Sequence, residues 1–209
     1  ANDFDIRAIL ALTGDPANMS DQPNSKGVFE ANSLMLLKMI KSFNYGMDFA
    51  GRPFKIEPKQ IFPFAVVNAY AKNFGSLEKK MHLKIQNGAV GVITQPVFDI
   101  ENVKKLLENF ENAKENVEGD KKKAQLILGL FPITKLRTAL FLSAQVPGIH
   151  VPQFWIDELE KAHNISEEEE YKVGMQLSKN LFDEINRIHP KIHLMTANNK
   201  FEVASEILA

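Results

Sequence analysis

Five polar residues follow the β-rich runs of this sequence and could together form a ligand site. Each lies at or just after the end of a short apolar run: Asp15, Asn68, Gln95, Thr134 and Asn198. Carboxylate, amide and hydroxyl groups form hydrogen bonds with polar ligands. The carboxyl ends of parallel strands meet at one mouth of a barrel, where enzymes of that fold place their chemistry. The spacing therefore predicts a polar ligand site at the strand ends.

The first of these residues, Asp15, is the second-last residue of the stretch AILALTGDP and has two interpretations. Aspartate before proline often forms a turn, and spacing alone favours that role. The alternative is a functional carboxylate at the end of a buried strand, where Gly14 would allow the backbone to approach a ligand closely. The residues alone leave both interpretations open.

Short β-rich runs alternate with amphipathic helices along the chain. Strands are predicted at 6–13, 62–69, 90–98, 124–132 and 192–198. Apolar residues at helical spacing predict a helix after each strand. The predicted N-caps of these helices are Asn32 or Ser33, Ser76, Asp99, Thr134 and Ser166.

The alternation predicts an α/β protein with right-handed crossovers and a parallel sheet. Neither a Gly-x-Gly-x-x-Gly fingerprint nor a P-loop occurs, so a dinucleotide-binding Rossmann fold has no specific support. We expect a (β/α)8 TIM barrel, of which this chain supplies the last five strand–helix units as a single domain over residues 1–209. The three missing units are expected before Ala1.

The longest predicted helix begins with a run of four acidic residues, 167–170. A Ser-x-x-Glu capping box precedes it, and acidic side chains are favourable near a helix N-terminus. Its predicted buried stripe is Val173, Leu177, Leu181, Ile185 and Ile188.

Composition excludes several classes of function. The 209 residues carry 25 Lys and Arg against 26 Asp and Glu, so the net charge of -1 predicts neither a nucleic-acid nor a membrane partner. The chain has no cysteine, which excludes disulfides and thiolate metal sites and is compatible with a cytoplasmic location. No apolar run approaches the ~18 residues of a membrane span. The pattern predicts no metal site.

Five motifs in order, LALTGDP, ITQPVFD, GLFPIT, VPGIHVP and IHLMTANN, resemble the methylenetetrahydrofolate reductase family over essentially the whole chain. The resemblance implies an FAD-containing barrel that reduces 5,10-methylenetetrahydrofolate to 5-methyltetrahydrofolate. It further implies NADH or NADPH as the reductant of the flavin. The expected partners are therefore a folate substrate and a nicotinamide, together with a second copy or a partner chain that supplies missing strands.

The resemblance assigns Asp15 a catalytic role beside the flavin ring and the pterin. A fixed carboxylate in a site without water would stabilise the cationic iminium form of the substrate. It also assigns Gln95 to the pterin, because an amide can pair with an aminopyrimidinone edge through both its donor and its acceptor. Leu136 stands where the family has a phenylalanine that stacks on the folate.

The remaining assignments concern the cofactor. The resemblance places these residues around FAD: Thr13, Gly14, Asp15, Asn32, Val67, Asn68, Lys84 and Met195. Lys84 would lie near the FAD phosphates. Thr13 stands where many members have arginine, and its hydroxyl would replace the guanidinium contact.

The family's general acid, a glutamate on the first barrel strand, has no counterpart among these residues. The leading hypothesis is therefore an oxidoreductase or the larger portion of one. The first alternative is a non-catalytic flavin- or folate-binding remnant completed by another chain. The second is an unrelated barrel enzyme that holds a phosphorylated substrate at a helix N-terminus.

Overall fold

The computed structural model describes residues 1–14, 24, 26, 31–115, 117, 119, 123–197 and 200–209. Five strands form one sheet in the order β1-β2-β3-β4-β5. They are β1 Ala8–Ala11, β2 Phe62–Val67, β3 Gly91–Pro96, β4 Gln125–Leu130 and β5 Ile192–Leu194. The sheet is parallel and follows the order of the sequence, which confirms the predicted fold class.

Seven α-helices are described, and a short 3-10 helix at Asn2–Phe4 precedes β1. They are α1 Ser33–Asn44, α2 Phe74–Gln86, α3 Ile100–Glu115, α4 Leu136–Gln145, α5 Gln153–His163, α6 Glu167–Ile188 and α7 Phe201–Leu208. Two extra helices, α5 and α6, lie between α4 and β5, and α7 closes the chain.

Each strand is shorter than the apolar run that predicted it. Strand β1 pairs with β2 from Ala8 opposite Phe62 to Ala11 opposite Ala65, and the ladder stops before the glycine at position 14. Strand β5 pairs with β4 only from Leu128 opposite Ile192 to Leu130 opposite Leu194. The hydrophobic pattern marks burial, whereas strand ends are set by where the ladder of hydrogen bonds ends. Asn198 lies outside the described residues.

Three of the predicted N-caps are confirmed. The Asn32 side chain accepts a hydrogen bond from the Met35 N–H, and Ser166 does the same for Glu169. Asp99 accepts from the N–H of Asn102.

Two predicted caps are wrong. Helix α2 begins before Ser76, and the Asn73 side chain accepts from the Ser76 N–H. Helix α4 begins at Leu136 without any side-chain bond from its own N-cap, so Thr134 does not cap it. In both places a residue at a suitable spacing was available, but a different oxygen reaches the free N–H groups.

The chain divides into two compact units. Unit 1 comprises Ala1–Val66, Glu78–Val92 and Asn112–Gln125, and unit 2 comprises Val67–Leu77, Ile93–Glu111 and Leu126–Ala209. In unit 1, Ala11, Leu37, Ala65 and Ala89 form a buried cluster. In unit 2, Met175, Val203 and Ile207 form another. The prediction of one domain over residues 1–209 stays a prediction.

Candidate functional site

Two of the predicted site residues of unit 2, Asn68 and Gln95, lie against the same glycine. A Cβ atom built on Gly148 would lie 2.7 Å from Gln95 Oε1 and 2.8 Å from Asn68 Nδ2. Gly148 also has a φ of +82°, which side chains other than glycine rarely adopt. The loop between α4 and α5 therefore packs directly on the polar residues that follow β2 and end β3.

The amide of Gln95 is only half satisfied. Its Nε2 donates to the Pro147 carbonyl over 3.3 Å, which is long for such a bond. Its Oε1 is buried and has no hydrogen-bond partner among the described residues. A buried acceptor without a partner costs about 1–3 kcal/mol. A ligand that donates a hydrogen bond to this oxygen would recover that energy.

A third predicted residue, Met195, lies against Gly129 in the neighbouring strand β4. Its Cε lies 2.8 Å from the position of a Cβ on Gly129, and the Thr94 carbonyl lies 2.5 Å from that position. The Gly129 N–H donates to Thr94 Oγ1 over 2.9 Å. Because Gly129 has no side chain, the Met195 side chain can lie against the β4 backbone. The backbone of Thr94 and Gln95 in β3 is close to the same point.

The other predicted residues of unit 2 lie at neighbouring strand ends. Val67 is buried at the last position of β2. Leu136 is half-buried and is the first residue of α4, so it follows the end of β4 by six positions. The structure thus brings Asn68, Gln95 and Met195 into one neighbourhood by direct proximity, and it places Val67 and Leu136 at strand ends of the same unit.

Sequence reasoning missed a polar cluster around Tyr70, three residues after β2. The Tyr70 hydroxyl donates to Asp99 Oδ2 over 2.9 Å and accepts from the Phe98 N–H over 2.8 Å. Burial, together with the nearby Asp99 carboxylate, raises the pKa of Tyr70. The Tyr70 ring also meets the exposed ring of His150 edge to face, at a centroid distance of 5.4 Å. The cluster thus contacts the same α4–α5 loop as Gln95.

In unit 1, two predicted cofactor residues accept hydrogen bonds from the first turn of α1. Asn32 caps the helix, and Thr13 Oγ1 accepts from the Ser33 N–H over 3.2 Å. Gly14 has a φ of +79°, and no described atom lies within 4 Å of a Cβ built on it. The close approach of a ligand to the backbone at Gly14 stays a prediction.

Lys84 is the predicted phosphate ligand of unit 1. Its Nζ donates to the Val66 carbonyl near the end of β2. Burial lowers the pKa of Lys84, and the positive charge of Lys80 lowers it further. A half-buried ammonium beside a second lysine, bonded to a neutral oxygen, is a favourable place for an anion.

Asp15, the predicted catalytic residue, lies outside the described residues.

Unit 1 also contains an apolar cavity of about 500 Å³, lined by side chains of α1 and of the segment that follows it, with Met39, Phe43, Met47, Phe49 and Phe54 among them. None of the predicted site residues described in unit 1 lines this cavity. Within the described ranges, no group of three or more His, Asp or Glu could hold a metal ion.

A parallel sheet with a helix after each strand, and with polar residues at the strand ends, defines an α/β protein of the partial TIM-barrel type. The family model for methylenetetrahydrofolate reductase matches residues 1–209. The chain belongs to the methylenetetrahydrofolate reductase family.

One solved structure with a similar fold is an uncharacterized protein from Clostridium thermocellum that binds two copies of 5-methyl-5,6,7,8-tetrahydrofolic acid. The two chains are 21% identical, with a TM-score of 0.52 over 71% of this chain. This chain spans about half of that protein, 52% of its length. A search among curated proteins found no match. None of the described helices is long and apolar enough to cross a membrane.

Proposed function

We propose that this chain forms the folate- and flavin-binding part of an enzyme that reduces 5,10-methylenetetrahydrofolate to 5-methyltetrahydrofolate. In the overall reaction, NADH or NADPH supplies a hydride and solvent supplies a proton, and the methylene carbon becomes a methyl group. Membership of the family supports this reaction class. The neighbour's bound methyltetrahydrofolate supports the ligand class.

The observation that carries the proposal is the buried Oε1 of Gln95, which has no hydrogen-bond partner in the described ranges. The aminopyrimidinone edge of a pterin carries N–H donors beside a carbonyl acceptor. One side-chain amide can form hydrogen bonds with both groups, because Oε1 accepts and Nε2 donates. The weak bond from Nε2 to the Pro147 carbonyl would be exchanged for the pterin carbonyl, so binding would satisfy an oxygen for which the described part of the chain provides no donor.

The residues of unit 1 fit the FAD that the family implies. Lys84 and Lys80 provide positive charge, and burial and the repulsion between them lower the pKa of Lys84. A phosphate group would compensate both ammonium groups. Gly14, which has a φ of +79° and no side chain, would let the backbone approach the flavin closely. Bound FAD would supply hydride transfer, and the side chains of this chain would bind and orient it.

The proposed roles of the remaining residues follow from their positions. The resemblance assigns Asn68 and Met195 to the cofactor, and within unit 2 they lie beside Gln95 or the backbone that leads to it. Leu136 would offer apolar contact to the folate. Asp15 would stabilise the iminium form of the substrate as a fixed negative charge. A partner chain or a second copy is proposed to supply missing strands and the proton donor that they would bring.

A second candidate function is folate binding without turnover. The neighbour's two bound copies of methyltetrahydrofolate favour it, because they demonstrate binding by a protein of this fold rather than a reaction. Flavin content separates the two candidates. The reductase predicts a yellow protein, or a chain that takes up added FAD, and it predicts NAD(P)H oxidation with menadione as the electron acceptor.

Equilibrium binding of 5-methyltetrahydrofolate then tests the site itself. We expect Gln95→Ala to weaken binding by about tenfold, because one bidentate amide is removed. The matched control is Gln153→Ala, which removes an exposed glutamine whose amide donates to Asp157 in the same helix. Equal affinity of wild type and Gln95→Ala would contradict the proposed pterin site. A colourless chain that binds folate would support the second candidate.

A further inference from the structure

The N-terminus of α4 is held by a residue far away in the sequence. Its own N-cap residue, Lys135, makes no side-chain capping bond. Instead the Leu136 N–H donates to Glu170 Oε1 in α6 over 2.7 Å. Glu170 is only 3% exposed, so this carboxylate is buried against the start of α4. A negative charge at a helix N-terminus is favourable because the free N–H groups carry partial positive charge.

Glu170 belongs to a stripe of three α6 residues that face the segment between β4 and α4. The stripe consists of Glu170, Gly174 and Ser178, which are spaced four apart and so share one helix face. The N–H of Ile133 donates to Ser178 Oγ over 3.1 Å. A Cβ on Gly174 would lie 2.4 Å from the Ile133 carbonyl oxygen, so the helix and this segment are in backbone contact.

These contacts fix the segment at its two ends. Ser178 and Gly174 hold Ile133, and Glu170 holds Leu136. Helix α4 could otherwise fray at its uncapped first turn, and Leu136 would change position with it. The imidazole of His163 lies 3.3 Å from the same Glu170 oxygen that accepts from Leu136, so the carboxylate is held from a second side.

We infer that Glu170 is a positioning residue for the substrate site, and that its buried carboxylate holds Leu136 in place to receive the folate ring. The inference rests on the proposed function, because it assigns Leu136 to the folate. Glu170 itself does not touch the ligand in this account. It reduces the ordering that binding would require, and a preorganised site binds more tightly for the same contacts.

The test is the affinity of the full chain for 5-methyltetrahydrofolate, measured by calorimetry in four variants. Glu170→Ala removes the acceptor, and we expect the Kd to rise about tenfold. Glu170→Gln keeps an acceptor oxygen and should stay within about twofold of wild type. The control Glu168→Ala removes the same charge from an exposed position one half-turn away and should not change the Kd. Glu170→Asp keeps the charge but shortens the reach, and we expect an intermediate loss.

A double-mutant cycle tests whether Glu170 affects folate binding through Leu136. In a Leu136→Ala background, Glu170→Ala should weaken folate binding by less than about twofold, because the side chain that it positions is gone. FAD affinity should be unchanged in all variants. If Glu170→Ala does not fold, the same cycle is run with Glu170→Asp.

Three results would overturn the inference. The first is an unchanged Kd in both Glu170→Ala and Glu170→Asp while wild type binds folate, which leaves the proposed function intact. The second is an equal loss of FAD and folate affinity, or full additivity with Leu136→Ala, since either indicates general structural damage. The third is a wild-type chain that binds no folate, which refutes the proposed function and this inference together.

Discussion

Helices α1 and α4 each follow a strand along the chain, but their first turns are stabilised in different ways. In α1 the adjacent residue Asn32 caps the N-terminus by accepting from the Met35 N–H, and Thr13, 20 positions earlier, accepts from the Ser33 N–H. In α4 the N-cap residue contributes nothing, and the oxygen comes from Glu170, 34 positions further along the chain.

The difference separates what a sequence motif can encode from what only the tertiary fold provides. A local cap depends on one side chain and the backbone next to it, so it forms whenever the helix forms. A cap from another helix requires that helix to be docked, so the start of α4 and the position of α6 depend on each other. The four predictions that follow perturb one helix start or a comparable long-range contact.

The largest effect is expected for Gly174→Ala. Its new Cβ would meet the Ile133 carbonyl at 2.4 Å and the Thr134 Cα at 2.8 Å, and neither is a flexible side chain. We expect a loss of about 3 kcal/mol in the free energy of unfolding, measured by denaturant titration. Gly75→Ala in α2 is the matched control, because its nearest neighbour would be a side-chain oxygen at 3.4 Å. Equal stability of the two variants would mean that α6 does not dock closely here.

Glu170→Ala tests the long-range cap itself. We expect it to lower the free energy of unfolding by about 2 kcal/mol, because the Leu136 N–H loses its acceptor inside the protein. Glu168→Ala should stay within about 0.5 kcal/mol of wild type, since that side chain is exposed. Thermal unfolding of both variants at the same pH measures the difference. If Glu170→Ala proved as stable as the control, the start of α4 would not depend on α6.

Asn32→Ala tests the local cap. The expected loss is about 1 kcal/mol, the usual value for removing an N-cap side chain. Asn32→Asp keeps the acceptor oxygen and should retain wild-type stability. Denaturant titration of the two variants provides the comparison, and a loss in Asn32→Ala larger than that in Glu170→Ala would reverse the contrast between the two helices.

The smallest effect is a pH dependence from Lys84. Burial and the neighbouring Lys80 hold the pKa of Lys84 below its ordinary value. In the alkaline range between the two values, the unfolded chain binds more protons than the folded chain, so stability rises with pH. Lys84→Met should reduce that slope, as measured by unfolding titrations across the range. Lys79→Met, an exposed lysine of the same helix, is the control, and a slope that is identical in wild type and Lys84→Met would refute the argument.

The sequence predicted the five strands, their order and the closing helix at Phe201–Leu208, because strong apolar periodicity reports burial directly. It was less successful on α6. The predicted stripe included Ile188, which is 49% exposed, and it missed Glu170, Gly174 and Ser178, which are buried. Hydropathy assigns a carboxylate, a glycine and a hydroxyl to the surface, and only their contacts with the segment before α4 explain their burial.

The candidate site was likewise predicted only in part from the sequence. The resemblance selected Gln95, Asn68 and Met195, and the structure places them beside Gly148 and Gly129. No pattern in the sequence indicated that these two glycines make the packing possible, because a close approach between distant residues leaves no local signal. The sequence did not predict the half-satisfied amide of Gln95 either, since its hydrogen bonding depends on the position of the distant Pro147 carbonyl.

The central claim is that the Gln95 amide binds the pterin. Nuclear magnetic resonance of the ¹⁵N-labelled chain measures it directly, because each glutamine side chain gives its own pair of amide signals. The Gln95 pair is assigned by its absence in Gln95→Ala. We predict that titration with 5-methyltetrahydrofolate shifts this pair while the Gln153 pair stays in place. A saturated complex in which the Gln95 signals have not moved would contradict the account.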